Sequence, residues 1–462
     1  MMHIQKTYSP IDGSLYVERE QANNTQIQEA ILLASDAQQA WKNVSLAERQ
    51  ALCTKAVEAF TANKDQIAEE LCWQMGRPIR YAAGEVASFA ERAQYMISIA
   101  EEGLAPIQTF EKSGFIRYIS QDPVGVVLVI APWNYPLHTP INAIIPALLA
   151  GNTVILKHSS QTPLCAERIY DAFNAAGLPE GVFQYLHMSH ESTETLIQRP
   201  EIAAVAFTGS VSGGVQVEQA AAGRFIKVGL ELGGKDPAYI RQDADVAYAV
   251  ETTVDGAFFN SGQSCCGIER IYVHEAIFDE FLTQYVSLTK EYKLGRSDDP
   301  ETTLGPLVKP SAATFVREQI AEAVKQGASA HVDPSSFKLD EAGTPYMAPQ
   351  VLSDVDHSMR IMTEESFGPV VGIMKVGSDE EAVRLMNDSE FGLSASIFSA
   401  DIDRAVELGK QIETGTFFVN RCDFLDPELA WTGVKNTGRG CTLSSKGFDG
   451  FTQLKSFHIK TL

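Results

Sequence analysis

Through the middle of the chain, short apolar runs alternate with longer stretches in which apolar residues recur at helical spacing. Val124–Ile130, Thr153–Lys157, Val182–His187, Ala203–Thr208 and Ile226–Leu230 each read as a strand, a brief apolar or β-branched run bounded by turn residues. Helical segments fall between them. The clearest opens at Thr162-Pro163, a capping residue followed by proline at the first helical position, and stops before Gly177-Leu178-Pro179. This alternation predicts βαβ units and a parallel sheet with both faces covered. Ahead of it, Asn24 to Gly103 read as mostly helical. Behind it, helices over Asp245–Phe259, Glu275–Leu294, Ser311–Gln326, Asp379–Asn387 and Asp401–Gln411 alternate with strands such as Gly267–Val273 and Gly415–Val419. A second α/β domain follows from that pattern.

Composition narrows the function. The 462 residues are 45% hydrophobic and 21% charged, an ordinary globular mix, and long enough for two or three domains. The net charge of −22, from 59 acidic and 37 basic residues, repels phosphate backbones and argues against nucleic acid as a partner. A small anionic cofactor stays possible, because one local positive site outweighs a distant net charge beyond about 8 Å of screening. The N-terminal MMHIQKTYSP lacks a charged segment followed by an apolar core, and the greasiest run, Val124–Ile130, is far short of the roughly 20 residues of a membrane span. A cytoplasmic, membrane-free protein is the expectation. Seven scattered cysteines, with no C-x-x-C and no clustered histidines, read as reduced thiols and not as a disulfide framework or a metal site.

In an open parallel sheet, ligands bind beyond the carboxyl ends of the strands, and several loops there carry candidate chemistry. FTGSVSGG puts Gly209 and Gly214 where a helix must start, so that backbone N–H groups can approach a phosphate; alone, it fits a plain turn equally well. Lys157 ends its strand where it could hold ribose hydroxyls, although a solvated surface lysine explains it too. Asn134 follows the first strand between Pro132 and Pro136, which restrict its backbone, and Glu231 ends another strand before two glycines. A structural turn asparagine and an exposed glutamate are the plain alternatives. In NSGQSCCG, Cys265 and Cys266 sit on a turn between a helix and a strand, whereas Cys53, Cys72 and Cys165 lie in helical apolar patterns as packing residues. An amide donor, a carboxylate base and a thiol around a nucleotide site suffice for covalent attack on a carbonyl.

Taken together, PWNYPL, GNTVILKHSSQTP, FTGS, ELGGKDP, NSGQSC, LGP, EESFGPV and GVKNTGRG resemble, in order and spacing, the aldehyde dehydrogenase superfamily over almost the whole chain. The resemblance implies an NAD(P)-dependent oxidoreductase with two Rossmann-like open-sheet domains and a small β oligomerisation element. The implied division is a cofactor domain over 1–106 and 123–233, a catalytic thiol domain over 234–433, an oligomerisation element over 107–122 and 450–462, and a return segment, 434–449, packing on the cofactor domain. It also implies Cys265 as nucleophile in the G-Q-x-C pattern, Asn134 with the Cys265 N–H as oxyanion hole, and Glu231 as general base. Cofactor contacts fall on Ile130, Pro132, Trp133, Lys157, Ser160, Gly209, Ser210, Gly214, Leu232, Glu365 and Phe367. The partners implied are a small-molecule aldehyde and further copies of the chain, as a homodimer or homotetramer.

The chain departs from the pattern in three places. Ser160 stands three residues after the cofactor lysine, where many NAD-preferring relatives carry glutamate; serine leaves room for a 2′-phosphate, so NADP is expected to be used at least as well as NAD. Gly440 stands where relatives often carry glutamate after Gly-Arg, removing any auxiliary acid there. Arg421, on the loop implied to line the aldehyde entrance, could grip the carboxylate of a semialdehyde such as succinate semialdehyde, or be a surface arginine. Rival readings are a CoA-acylating relative, against which Glu231 counts, and an inactive structural or binding protein of the same fold. A cysteine hydrolase would need a histidine partner, and only His138 and His158 lie near these loops.

Overall fold

The computed structural model describes residues 3–461. Its first large sheet has six strands in the order Gly438–Arg439, Lys227–Glu231, Ile202–Thr208, Val126–Ile130, Thr153–Lys157 and Phe183–Tyr185. The five longer-range neighbours from Lys227–Glu231 to Phe183–Tyr185 are parallel, and Gly438–Arg439 pairs antiparallel at the edge. Strand order reverses between Val126–Ile130 and Ile202–Thr208, so a crevice opens beyond their carboxyl ends. Alternation explains why the strands are apolar throughout. Val127 and Val129 pack into the cluster with helices Leu46–Thr61 and Ile79–Ser98, while Val126, Leu128 and Ile130 face the opposite cluster around Ile31, Leu196 and Val217.

The second sheet has seven strands in the order Ser329–Ala330, Gln350–Ser353, Val370–Val376, Ile268–His274, Asp236–Ile240, Ser394–Phe398 and Thr416–Val419. All pairings but the one to Ser329–Ala330 are parallel. A three-stranded sheet pairs Thr452–Lys460 antiparallel with Phe115–Pro123, which in turn pairs with Ile107–Gln108. Among the described residues, no helix is long and apolar enough to cross a membrane.

The main strands and helices stand where the alternation predicts them, shifted by a few residues: Thr153–Lys157 and Asp379–Asn387 coincide, and the helix expected over Glu275–Leu294 is shorter, Phe278–Thr289. The opening hairpin Ile4–Tyr8/Leu15–Glu20 carries alternating polar residues and escapes the apolar-run criterion. Asp236–Ile240, a fully buried central strand, escapes because it begins with Asp and Pro; a register shift at that proline accommodates the missing N–H. Thr162 sits at the helix start as expected but does not cap with its side chain, which meets His158 Nδ1 at 3.2 Å instead.

Candidate active site

The carboxyl edge of the first sheet faces the amino edge of the second. Asn134, Lys157, Gly209 and Glu231 lie at strand carboxyl ends, as parallel-sheet logic requires, but Cys265 and Glu365 come just before strands Ile268–His274 and Val370–Val376. The carboxyl-end rule thus accounts for the groups of the first sheet, and Cys265 stands, as expected, on a turn between a helix and a strand. Between the two edges lies a cavity of about 860 Å³ bordered by Asn134, Lys157, Glu231, Cys265, Glu365 and Phe367.

A buried hydrogen-bond network fixes the thiol turn against the first domain. After helix Val246–Phe258 the chain passes through three left-handed residues, Asn260 (φ 52°), Ser261 (φ 58°) and Gly262 (φ 71°), two of which carry side chains and hold strain. Asn260 Nδ2 donates to the carbonyls of Asn134 (3.3 Å) and Gln263 (3.2 Å). Arg77 donates to the Asn134 carbonyl (2.8 Å) and to Asn260 Oδ1 (3.3 Å), with its charge met by buried Glu85. Asn134 Nδ2 donates to the Gln263 carbonyl at 3.2 Å, which uses one of its two amide hydrogens and leaves the other for a ligand.

The two neighbouring thiols differ sharply. Both border the cavity, but Cys265 is half-buried. Cys266 is 3% exposed, packs with Leu393, Trp431 and Leu443, and donates to Asp423 Oδ1 at 2.9 Å. Its hydrogen bonding with Cys265, burial and the Asp423 charge push the Cys266 thiol well above its ordinary pKa. Asp423 also accepts from Ser264 Oγ at 3.1 Å, and burial raises its pKa to about 6.

Glu231 is held from two sides. Thr442 Oγ1 donates to Oε1 at 2.6 Å and Thr208 Oγ1 to Oε2 at 3.0 Å. Burial raises its pKa, while these two hydroxyls and the positive charge of Arg92 pull it back. Gly233 and Gly234 follow because nothing larger fits: a Cβ on the first would strike the Glu365 carboxylate, and on the second the Cys265 carbonyl.

At the other end, Lys157 is 6% exposed and borders the cavity, and burial lowers its pKa to about 8. Ser210 caps helix Val211–Ala221 through Gly213 N at 3.2 Å. Gly209 borders the cavity but spends its N–H on the Glu231 carbonyl, and Gly214 packs on Leu232 away from it, so Gly213 borders the space instead. Ser160 is exposed, its carbonyl held by Thr7 Oγ1 at 2.7 Å, and Ser159 is the serine on the cavity wall. Ile130, Pro132, Trp133, Ser210 and Leu232 all border the cavity. Glu365 accepts from Gly234 N at 2.9 Å, and burial raises its pKa to about 7. Phe367, at φ 51°, meets Trp133 edge-on at 5.7 Å, and its N–H and that of Ser366 are fixed by Glu269, itself paired with buried Lys235. Arg421 does not reach the cavity: it is exposed and stacks on Phe424, 3.5 Å from the ring centroid. Sequence reasoning missed Thr208, Thr442 and Arg92, whose only sequence signal is a common residue type.

The aldehyde dehydrogenase family model matches residues 3–457. An aldehyde dehydrogenase of Paenarthrobacter nicotinovorans is 33% identical over 453 residues, 97% of this chain and 98% of that one. Succinate-semialdehyde dehydrogenase [NADP(+)] 1 of Mycobacterium bovis is 32% identical over 455 residues, covering 98% and 99%. Among solved structures, that of Gox0499, described in terms of cofactor and substrate selection, superposes with a TM-score of 0.95 at 32% identity over 99% of this chain and all of that one.

Iodoacetamide labelling of the folded protein, read by peptide mapping, is expected to modify Cys265 first. Cys441, half-exposed but with its pKa pushed to about 11 by burial, should follow slowly, and Cys266 only in denaturant. Labelling of Cys266 ahead of Cys265 would contradict the assigned geometry.

Proposed function

The chain belongs to the aldehyde dehydrogenase family, and from that premise we propose how its residues divide the work and which aldehyde they take. It is an NAD(P)-dependent enzyme that oxidises an aldehyde to the carboxylic acid. The observation that carries the residue assignment is the convergence of Asn134, Cys265 and Glu231 on one cavity. Cys265 attacks the aldehyde carbon as thiolate, forming a C–S bond and an alkoxide. The free amide hydrogen of Asn134 and the Cys265 N–H hold that oxyanion, each a donor of the kind worth about 3 kcal/mol. A bound nicotinamide dinucleotide would supply the acceptor for the hydride that the thiohemiacetal gives up in becoming a thioester. Glu231 then takes a proton from water as its oxygen attacks the thioester, and Cys265 leaves as thiolate.

The donor set fits such a cofactor. Lys157 is a buried cation with no carboxylate within ion-pair distance among the described residues, and helix Val211–Ala221 starts at Ser210, which borders the cavity. Glu365, Phe367, Trp133, Ile130, Pro132 and Leu232 line the rest of its place. No carboxylate follows Lys157 to repel a 2′-phosphate, and the Mycobacterium bovis relative is named for NADP, so we assign NADP at least equal use. That relative's name, with a Deinococcus radiodurans protein of the same activity at 33% identity, also supports an ω-carboxyl aldehyde such as succinate semialdehyde. For self-association we propose the arm of Phe115–Pro123 and Thr452–Lys460, a reading supported by the exposed apolar residues Ile116, Leu454 and Ile459.

Glu231→Gln is expected to keep a single-turnover burst of reduced cofactor and to lower steady-state turnover about 100-fold or more; an unchanged steady-state rate would remove Glu231 from the role. Because Glu231 works deprotonated and burial raises its pKa, hydrolysis should fail, as pH drops, sooner than for an ordinary glutamate. Thr442→Val removes a bond that lowers that pKa, so the acidic limb of a kcat profile should move to higher pH. A limb that stays put would show that Thr442 does not tune the base. Specificity constants for the two cofactors should be within about tenfold or favour NADP, with Lys157→Met costing NADP more than NAD; a larger preference for NAD would reject the assignment.

A further inference from the structure

Helix Ile79–Ser98 packs against helix His138–Leu149 beside the cavity, and it carries an arginine without a partner among the described residues. Arg92 is 5% exposed and borders the cavity. The other deeply buried arginines are spoken for: Arg77 by Glu85, Arg270 by the carbonyls of Lys235 and Met386, and Arg49 by the Val44 carbonyl. Arg92 has no hydrogen bond and no carboxylate within ion-pair distance among the described residues; the carboxylates of Glu231, Glu85 and Glu91 act on it only at longer range.

The nearby acids are committed or remote. Glu85 belongs to Arg77, Glu231 to its two threonines, Asp423 to Ser264 and Cys266, while Glu91 and Asp255 are exposed. On the facing helix, Asn142 is 2% exposed, borders the same cavity, and leaves its side-chain oxygen unpartnered, as is His138 Nδ1. Arg92 stands two turns beyond Glu85 on the buried face of the same helix, and Glu85 is fixed to Arg77 and to Leu137 N behind the Asn134 loop, so Arg92 belongs to the helix that walls the Asn134 side of the cavity.

A guanidinium withdrawn from water without a counter-charge is costly, and the cost is relieved when a ligand brings the anion. Its planar fork matches a carboxylate, which can accept two parallel N–H bonds. An amide such as Asn142 can present its N–H2 to the same anion. We propose that Arg92, with Asn142 on the facing helix, is the carboxylate-recognising subsite of the aldehyde pocket and selects short ω-carboxyl aldehydes. This deepens the aldehyde-oxidising reading above and rests on it. It also gives Arg92, and not Arg421, the grip on the carboxylate.

The test compares succinate semialdehyde with butanal, which has the same four carbons and no carboxylate, in wild type, Arg92→Met and Arg92→Lys. Rates are taken on the alkaline plateau, where Glu231 is ionised in every variant. The wild type should favour succinate semialdehyde. In Arg92→Met the ratio of the two specificity constants should fall about 30-fold, chiefly through KM for succinate semialdehyde, the size expected for losing hydrogen bonds to a charged group. Arg92→Lys should recover part of it. Equal losses in kcat for both aldehydes would overturn the proposal and make Arg92 a support for Glu231. A wild type that oxidises both aldehydes without preference would overturn it while leaving the enzyme reading intact. Protection of Cys265 from iodoacetamide by succinate reads the subsite without turnover. Arg92→Met should need at least about tenfold more succinate for the same protection, and equal protection in both proteins would overturn the subsite even if no aldehyde were oxidised.

Discussion

Everything at the site depends on the buried seam between the two sheets, where Arg77, Asn134, Asn260 and Gln263 share hydrogen bonds. The seam joins the carboxyl edge of one sheet to the amino edge of the other, so an amide from the first domain and a thiol from the second meet at fixed spacing. Polar groups this deep are tolerable only when each is satisfied, and the network satisfies them reciprocally. Arg77 is held by Glu85, which also accepts from Leu137 N at 2.9 Å, so the proline-bracketed loop around Asn134 is pinned from behind as well. The left-handed run Asn260–Gly262 is the strained part of the seam. Gln263 offsets it by accepting from Val308 N at 2.8 Å and donating back to the Asn260 carbonyl at 3.1 Å.

The base is supported by a different logic, one that draws on the far end of the chain. Glu231 ends a strand of the first sheet, and Gly438–Arg439 returns to pair with that strand, bringing Thr442 onto the carboxylate. Gly440 stands where an acid would add a second negative charge near Glu231; in its place two neutral hydroxyls hold the carboxylate. Burial raises the pKa of Glu231, and the hydroxyl donors together with the Arg92 charge pull it back without a salt bridge that would immobilise it. The same Arg92 charge, left without a partner among the described residues, is the one the proposed carboxylate subsite draws on.

Much of this was legible in the sequence because it depends on local rules. Thr153–Lys157 is a bare apolar strand, Thr162-Pro163 marks a helix start, and Asn134, Glu231 and Cys265 lie on loops bounded by proline or glycine. The choice between the two thiols was legible only through motif spacing; the physical reason, that Cys266 is turned onto Asp423, is tertiary. Likewise the Arg92 subsite exists only because two helices pack face to face, and nothing in EVASFAERAQ distinguishes it from a surface arginine. Arg421 is a candidate from the sequence only because the resemblance puts its loop at the aldehyde entrance, and its side chain is taken up by Phe424. Gly214 and Ser160 each missed the cavity wall by one residue, the neighbouring Gly213 and Ser159 taking the position, which is the resolution limit of reading loops from spacing.

The claim that oxidation passes through a thioester on Cys265, released by Glu231, is tested most directly by trapping that thioester. Glu231→Gln protein, mixed with an aldehyde and cofactor, quenched in acid after one turnover and digested, should carry the acyl mass on the peptide containing Cys265, assigned by fragmentation to that residue and not to Cys266. An acyl group on Cys266, or reduced cofactor formed in the burst with no acylated thiol at all, would contradict it.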